Sequence, residues 1–437
     1  MKKRKINIVT LGCSKNVVDS EKLMKQISFG DYDLIFNQDE TFTDTVIINT
    51  CGFINDAREE SIDTILKFAR AKERGYVNNL YVMGCLSERY KDELISEIPE
   101  VDRYFGVNDM DSIIRELGIR SEKPHYSERI LTSPGHYAYL KISEGCDRTC
   151  AFCAIPLIRG KCISRTIEDI VLEANLLAQV GVKELILISQ DLTYYGLDLY
   201  KERKLPALLK ELLKIRGFEW IRLQYLYPAG FPAELADLIR DNPRICSYID
   251  IPVQHIADKM LSLMKRSHNR EETERVLNFI RNEIPGAAIR TTIIAGHPGE
   301  SEDDFQELEK FILLFRFDRL GVFAYSHEEE THAGRYYSDE VACSEKKRRV
   351  DVLMKMQQEI SYELNQSRVG KAYKVIIDRR EGDYYVGRTE YDSPEVDHEV
   401  LVSSKYKLET GEFYRIQITG AEEFDLYGIP VEERSSG

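Results

Sequence analysis

Short apolar, β-branched runs alternate with longer polar stretches over the amino-terminal part of the chain. The runs KINIVTL, DTVIINT and NLYVMG each predict a buried strand. Polar sequence with helical spacing follows them, for example DAREESIDTILKFARAKERG. Such alternation is typical of a parallel sheet with helices on both faces. We assign residues 1–133 to a parallel α/β domain on this pattern.

The same alternation continues over residues 134–368 with a longer repeat. Six runs predict strands, separated by helical stretches such as TIEDIVLEANLLAQVG: HYAYLKI, KELILIS, WIRLQYL, SYIDIPV, AAIRTTIIAG and RLGVFAY. Six β/α units are too few for a closed eight-stranded barrel, so we expect an open, TIM-like partial (β/α)6 barrel. Its site would lie at the carboxyl ends of the strands. Residues 344–368 predict a charged amphipathic helix, with the KKRR run on its solvated face.

The pattern changes again over residues 369–437. Short runs with a period of two, separated by Gly, Asp and Ser-Pro turn signals, predict five antiparallel strands. Five strands in so short a segment indicate a small antiparallel β-barrel. The whole chain is therefore expected to be an α/β protein of three domains.

Composition limits the classes of protein to consider. The 437 residues are 43% hydrophobic and 31% charged, as expected for a globular protein. No apolar run approaches the roughly 20 residues of a membrane span, and the basic start MKKRKINIVTLG runs directly into a strand. We therefore expect a cytoplasmic protein without a membrane partner. A net charge of −14 argues against a surface that grips nucleic acid throughout.

Three cysteines fall within eight residues in the stretch EGCDRTCAFCAIP, at Cys146, Cys150 and Cys153. Zinc is one alternative, but a structural zinc site needs four ligands and Cys162 is the only nearby candidate for a fourth. Three unrelated buried thiols are another alternative. We favour a 4Fe-4S cluster, because short spacings on a loop let successive thiolates reach different irons. With three protein ligands, one iron would stay open to a substrate or cofactor.

Three more cysteines follow the predicted amino-terminal strands: Cys13 after TLG, Cys51 after INT and Cys85 after VMG. Parallel strands present their carboxyl ends along one edge of the sheet, so these thiols can converge in space. The alternative is that each cysteine merely caps a core strand. Because the position recurs three times, we favour a second three-cysteine cluster.

These motifs resemble a known family. The run CDRTCAFC, with Phe152 before its last cysteine, resembles the Cys-x3-Cys-x2-Cys signature of radical S-adenosylmethionine enzymes. With LGCSKNVVDSE, NTCGF and MGC, the whole chain resembles the methylthiotransferases. The resemblance implies an amino-terminal cluster domain, a radical S-adenosylmethionine barrel and a carboxy-terminal TRAM domain.

The same resemblance implies the cofactors. Two 4Fe-4S clusters are expected, one on Cys146, Cys150 and Cys153 and the other on Cys13, Cys51 and Cys85. S-adenosylmethionine would bind the open iron of the first, and an electron donor such as flavodoxin or ferredoxin would start its cleavage to a radical. The second would hold the sulfur that is transferred.

Other cofactor contacts are expected near the start and the middle of the barrel. Glu184, before the second barrel strand, could accept a hydrogen bond from the ammonium group of the cofactor, or be a solvated residue. Arg290 could face the cofactor or pair with a carboxylate. Phe152, within the CDRTCAFC run, is also expected to contact the cofactor.

The substrate is expected to be a protein. Gly12-Cys13-Ser14-Lys15-Asn16 resembles the branch that methylthiolates the β-carbon of an aspartate in ribosomal protein S-twelve, alone or in the small ribosomal subunit. The alternatives are methylthiolation of N6-isopentenyl or related adenosine in tRNA, whose enzymes usually have a Gly-Cys-Gln-Met-Asn type motif, and a non-catalytic iron-sulfur carrier.

The charge of the last domain supports the same choice. Residues 371–434 have nine Lys and Arg against fifteen Asp and Glu, a net of −6. Such a domain would repel the tRNA polyanion and attract a basic ribosomal protein. The alternative is a merely solubilising surface. We expect a group of carboxylates to steer the substrate: Glu390, Asp392, Glu395, Asp397 and Glu399.

Overall fold

The structure is a computed structural model that describes residues 3–39, 42–119, 127–132 and 134–431. Its amino-terminal part contains five strands and four helices among those residues. In chain order these are β1 (Arg4–Thr10), α1 (Ser14–Ile27), β2 (Tyr32–Phe36), β3 (Thr43–Thr50), α2 (Asn55–Glu73), β4 (Val77–Gly84), α3 (Cys85–Glu97), β5 (Arg103–Tyr104) and α4 (Met110–Glu116).

The five strands form one parallel sheet in the order β2-β1-β3-β4-β5. Apolar residues of alternate strand positions fill two separate cores, one on each face of the sheet. This confirms the predicted parallel α/β domain. The strands β1, β3 and β4 are neighbours, so the three chain segments that follow them emerge side by side at one edge.

The middle part of the chain continues the alternation of strands and helices. In chain order its elements are β6 (Tyr137–Lys141), β7 (Ser143–Glu144), α5 (Ile155–Arg159), β8 (Ile163–Ser164), α6 (Ile167–Gln179), β9 (Glu184–Ile188), α7 (Leu197–Tyr200), α8 (Leu205–Leu212), β10 (Trp220–Leu223), α9 (Ala233–Asp241), β11 (Tyr248–Asp250), α10 (Asp258–Leu263), α11 (Arg270–Glu283), β12 (Ala288–Ala295), α12 (Glu302–Phe315), β13 (Arg319–Ala324), α13 (His332–Tyr336) and α14 (Cys343–Gln366).

Six of these strands are parallel and curve into the predicted partial barrel. They form two three-stranded sheets, β10-β9-β6 and β11-β12-β13, which a single bridge between Ile221 and Ile245 connects. One apolar core lies between the outer face of the strands and the surrounding helices. Because β6 and β13 remain unpaired with each other, the barrel is open.

The helix α14 connects the barrel to the last domain. Its KKRR run is not wholly solvated, in contrast to the prediction. Lys346 and Arg349 of its KKRR run are buried, although a solvated face was predicted. Lys346 Nζ lies 2.6 Å from Asp339, and Arg349 Nη1 lies 2.8 Å from Glu300. Within the described residues, neither α14 nor a shorter helix combines the length and the apolar character that crossing a membrane requires.

The carboxy-terminal domain is a closed barrel of five strands in the order β14-β15-β16-β18-β17, which confirms the predicted small β-barrel. Its nine core residues come from alternate strand positions and the intervening loops. The strands are β14 (Ala372–Glu381), β15 (Tyr384–Thr389), β16 (Glu399–Ser403), β17 (Phe413–Ala421) and β18 (Asp425–Pro430).

The loop between β15 and β16, residues 390–398, lies against the inside of the partial barrel. Arg319 Nε of β13 donates a 3.0 Å hydrogen bond to Asp392, and Tyr248 of β11 donates a 2.7 Å hydrogen bond to Asp397. Both carboxylates are buried. The expectation that this acidic group faces a basic substrate is therefore wrong for Asp392 and Asp397, because barrel side chains already neutralise them.

Candidate active site

In chain order, Cys13, Cys51 and Cys85 are the first cysteine set, and Cys146, Cys150 and Cys153 are the second. The first set lies at the edge where β1, β3 and β4 end. Cys13 immediately precedes α1, Cys51 immediately follows β3, and Cys85 begins α3. The chain at Gly12 runs so close to Cys51 that a Cβ there would lie 2.6 Å from Cys51 Cβ and 3.0 Å from its Sγ. The three positions that are far apart in sequence are thus neighbours in space.

Two glycines allow this close approach. Gly12 and Gly84 each precede a cysteine and have φ angles of +88° and +100°, in the region that side chains other than glycine rarely adopt. A Cβ at Gly84 would also lie 2.5 Å from Asn49 Oδ1. Both positions therefore require glycine for the turn and for the packing.

The second cysteine set lies on the loop between β7 and α5, beyond the carboxyl end of β6. Backbone bonds fix the loop: the Ala151 amide donates to Met264 O at 2.9 Å, and the Ala333 amide donates to Ala151 O at 2.7 Å. The Cys153 amide donates to Cys150 O at 3.1 Å. This loop is held at the mouth of the barrel, as predicted from the strand that precedes it.

Four of the six thiols are in an environment that disfavours their charge. Burial raises the pKa of Cys85 and of Cys153 to about 12, and that of Cys146 to about 11. Burial also raises the pKa of Cys51. Such thiols become thiolates only beside a strong positive charge, which bound iron supplies.

Two buried hydroxyl oxygens flank the first set. Ser14 follows Cys13, and Ser87 lies two positions after Cys85; neither hydroxyl has a hydrogen-bond partner in the described part of the chain. Buried polar groups normally have partners, so these two hydroxyls fit a bound group that accepts hydrogen bonds from them. The three thiols and two hydroxyls are thus a donor set that suits an iron-sulfur cluster.

A single metal ion fits less well than a cluster. Within the described ranges no group of three His, Cys, Asp or Glu side chains converges as one ion requires. In a cubane each thiolate binds a different iron, so its cysteines stand further apart than the ligands of one ion. This geometry disfavours the zinc alternative.

The two cysteine sets lie next to each other. Cys85 of the first set packs with Ala154, which follows Cys153 of the second, and with Ile158 of α5. Arg159 Nη2, at the end of α5, donates a 2.7 Å hydrogen bond to Asn16 Oδ1 in the first turn of α1. The mouth of the barrel and the edge of the amino-terminal sheet therefore form one site.

Buried charges join the two parts of this site. Lys141 of β6 and Arg159 each contact both Asp19 of α1 and Glu144 of β7. Although burial opposes it, these two cations lower the pKa of Glu144 to about 2. Glu144 therefore stays ionised, and the ion pairs of Glu144 and Asp19 hold α1 on the barrel.

Sequence reasoning missed two arginines beside the second set. Arg266 Nη1 lies 3.4 Å from Cys150 Sγ, and the backbone amide of Arg148 lies 3.4 Å from Cys146 Sγ. The two guanidinium groups stack on Tyr227, at 3.9 Å and 4.2 Å from the ring centroid. Arg148 lies inside the CDRTC run and could have been singled out, whereas nothing local marks Arg266 or Tyr227.

The structure does not bring Glu184 to the cysteine loop. It begins β9, at the end of the barrel away from the mouth, and is fully buried. Its carboxylate lies 2.7 Å from Arg222 Nε and also contacts Arg388 of the last domain. These two arginines saturate the carboxylate, so the expected contact with the ammonium group of the cofactor does not fit this position.

Arg290 also lies apart from the cysteines. Its guanidinium lies 3.1 Å from Asp250 and 3.4 Å from Asp397, which matches the alternative of pairing with carboxylates. Phe152, in contrast, stays on the cluster loop. Its ring packs edge-on against His297 at 6.4 Å between centroids. Phe152 therefore anchors the loop to the chain segment that follows β12.

Comparisons with known proteins agree with this arrangement. The family model for the radical SAM superfamily matches residues 140–312, the TRAM domain model matches residues 369–431, and the model for uncharacterized protein family UPF0004 matches residues 5–106. The structure of the radical S-adenosylmethionine methyltransferase TsrM from Kitasatospora setae, with tryptophan and a SAM analog bound, matches with a TM-score of 0.58 at 13% identity, covering 87% of this chain and 79% of that one.

The open barrel, the three-cysteine loop at its mouth and the TRAM barrel define a radical SAM enzyme. Curated relatives narrow the class. "Ribosomal protein uS12 methylthiotransferase RimO" of Phocaeicola vulgatus is 53% identical over 98% of this chain and 99% of its own length. The protein of the same name from Flavobacterium psychrophilum is 53% identical over 99% of each. The chain belongs to this RimO family of radical SAM methylthiotransferases and is a transferase.

Proposed function

We propose that the chain adds a methylthio group to the β-carbon of an aspartate of ribosomal protein uS12, the protein S-twelve named above. The observation that carries the proposal is the adjacency of the two three-cysteine sets, linked by Arg159 and Asn16. A site that must both make a substrate radical and deliver sulfur needs two centres within reach of one substrate atom.

In this proposal Cys146, Cys150 and Cys153 hold one 4Fe-4S cluster, and Cys13, Cys51 and Cys85 hold a second. One-electron cleavage of S-adenosylmethionine to a carbon radical is the chemistry that a cluster with an open iron supplies when bound. Such a radical can remove hydrogen from an unactivated C–H bond, which a tuned general base cannot do at neutral pH.

The protein's own side chains position and tune the thiolates. Arg266 and the Arg148 amide donate towards sulfurs of the second set, and hydrogen bonds to cluster sulfurs raise the reduction potential of a cluster. Arg148 is itself fixed by Asp191, 2.9 Å from its Nε. Cys85 packs against Ala154 in a buried apolar contact between the two sets.

The substrate assignment rests on the relatives, whose name specifies uS12. The Gly12-Cys13-Ser14-Lys15-Asn16 motif supports the same branch. The net charge of the last domain adds no support, because two of its acidic residues, Asp392 and Asp397, are buried against the barrel. A ribosomal substrate implies that the enzyme works in the cytoplasm, with a small electron carrier such as flavodoxin or ferredoxin as donor. We keep 1–133, 134–368 and 369–437 as the proposed domain limits.

The decisive experiment compares substrates. The full-length chain, reconstituted with iron and sulfide without oxygen, is incubated with S-adenosylmethionine, a reductant and either uS12, small ribosomal subunits or tRNA. Mass spectrometry of peptides and nucleosides then locates any added methylthio group. We expect it on one aspartate of uS12.

Cofactor cleavage, measured as 5′-deoxyadenosine, separates the alternatives. Methylthiolated adenosine in tRNA with an unmodified aspartate would assign the chain to the tRNA branch. Absence of 5′-deoxyadenosine from a protein that retains its iron would favour an electron carrier.

A further inference from the structure

Lys15 is a buried cation without an anionic partner. Its residue surface is 5% exposed, although it lies in the first turn of α1 two positions after Cys13. Within the described ranges its side chain makes no hydrogen bond and no ion pair, and it packs against an aromatic ring. Lys15 Nζ lies 3.8 Å from the ring centroid of Tyr225. Burying an ammonium group is costly unless an anion compensates it.

Tyr225 fixes this ammonium group at the mouth of the barrel. It follows β10, and its φ angle of +66° turns the chain there. Its amide donates a 3.0 Å hydrogen bond to Asp250, and its carbonyl accepts one of 2.9 Å from the Leu192 amide. Its ring packs with Val18 of α1 and with barrel-lining residues of β6 and β9. These contacts fix the ring of Tyr225 beneath Lys15. A cation–π contact compensates the charge of the ammonium group only partly.

The carboxylates nearest in the chain are already used. Asp19 lies one helical turn after Lys15, yet its two oxygens contact Lys141 and Arg159. Glu144 contacts the same two cations. Two carboxylates and two cations balance among these four side chains, so neither carboxylate is left to pair with Lys15. An incoming carboxylate would supply that partner.

We infer that Lys15 binds the side-chain carboxylate of the substrate aspartate and thereby selects aspartate as the residue to be modified. This inference rests on the proposed function. An ion pair with Lys15 would hold the aspartate between Cys13 and the barrel mouth, with its β-carbon one bond from the carboxylate and therefore close to both cysteine sets. An amide in place of the carboxylate would leave the buried ammonium uncompensated.

The test measures discrimination between aspartate and asparagine. Reconstituted full-length enzyme is titrated with uS12 and with a uS12 variant that has asparagine at the modified aspartate. Wild-type enzyme is expected to bind the aspartate form about 30-fold more tightly, the usual effect of losing one partner of a buried charged pair. Lys15→Met keeps the side-chain length, removes the charge, and is expected to bring the two affinities within about threefold.

Kinetics give a second readout that a merely structural role would not produce. Lys15→Met should raise the KM for uS12 by about 30-fold, with a smaller change in kcat, and Lys15→Arg should recover much of the loss. Lys25→Met is the matched control, because Lys25 lies on the same helix with its side chain 26% exposed and pairs with Glu128. It should leave the KM unchanged.

These measurements test the role of Lys15 separately from the proposed function. Unchanged discrimination in Lys15→Met, or a loss of iron in place of a loss of discrimination, would overturn the role of Lys15 while leaving the proposed function intact. Wild-type enzyme that modifies tRNA and not uS12 would overturn the proposed function, and this inference with it.

Discussion

Arg159 donates a 2.7 Å hydrogen bond to Asn16, and this contact joins the two cysteine sets. Asn16 is three residues after Cys13, and Arg159 is six residues after Cys153. Asn16 is fixed in turn by hydrogen bonds from its Nδ2 to Leu11 O at 2.8 Å and Thr50 O at 3.1 Å. The Arg159 guanidinium therefore helps to fix the relative position of the two sets, together with the ion pairs of Lys141.

Replacing Arg159 should uncouple cleavage of S-adenosylmethionine from transfer of the methylthio group. Arg159→Met leaves Asp19 and Glu144 with Lys141 as their shared cation, at a cost of about 3 kcal/mol in the free energy of unfolding. We expect a lower yield of methylthiolated uS12 per 5′-deoxyadenosine formed, with the iron content retained. Arg240→Met is the control, since Arg240 pairs with Asp237 and Asp241 on the surface and should matter little. An unchanged product ratio in Arg159→Met would contradict the linking role.

The two proposed clusters should be separable by mutation. Cys150→Ala removes a ligand on the barrel loop, so 5′-deoxyadenosine formation should vanish while about half of the iron remains. Cys51→Ala should behave in the opposite way, because it leaves the barrel loop intact: the cofactor is still cleaved and no sulfur is transferred. Iron analysis and mass spectrometry check both. Full methylthiolation by Cys51→Ala would remove the assignment of the first set.

The buried ion pair between Arg319 of the barrel and Asp392 of the last domain should contribute to stability, not to attraction of the substrate. Asp392→Asn leaves Arg319 with an uncompensated charge in a site where both side chains are under 5% exposed, so we expect a loss of about 3 kcal/mol. Glu381→Gln removes an exposed partner of Arg379 and should cost less than about 0.5 kcal/mol. Thermal unfolding of the two variants measures the difference. Equal stabilities of the two variants would show that packing of the loop 390–398 inside the barrel does not stabilise the fold.

Lys22 should make the stability depend on alkaline pH. Burial lowers its pKa to about 8 although Glu173 lies 3.3 Å away, so the folded state holds the charged form less favourably than the unfolded chain does. Stability linked to Lys22 is therefore lost as the pH falls through about 8 and is fully present above about 10.5.

The matched variant is Lys22→Met. It should be more stable than wild type near pH 7, and the difference should shift in favour of wild type by up to about 3 kcal/mol between pH 8 and 10.5. Urea unfolding at several pH values measures it. Parallel curves for the two proteins over that range would contradict the lowered pKa.

The sequence-based expectations succeeded where a signal is local. Strand and helix alternation predicted the first two domains, and a period of two predicted the small β-barrel, because strands and amphipathic helices show their period within a few residues. The position of Cys13, Cys51 and Cys85 at strand ends predicted their convergence, because parallel strands share a direction. Because parallel strands end at the same edge of a sheet, a local sequence pattern was enough here to predict a position in space.

Expectations that needed a distant partner failed. Glu184 stands where a cofactor contact was expected, but Arg222 and Arg388 neutralise it from 38 and 204 positions further along the chain. The acidic residues of the last domain were counted as surface, yet Asp392 and Asp397 lie inside the barrel. A net charge reports how many carboxylates a segment has, not which of them meet water.

The sequence alone determined the cysteine sets, the strand order along the chain and the family resemblance, since each is written in neighbouring residues. Only the tertiary structure decided that Arg159 links the two sets, that the acidic loop fills the barrel and that Lys15 is left with a ring in place of a carboxylate. These are outcomes of pairing among charges from separate elements. Because a buried charge takes the nearest opposite charge in space, its partner becomes known only when the elements have packed.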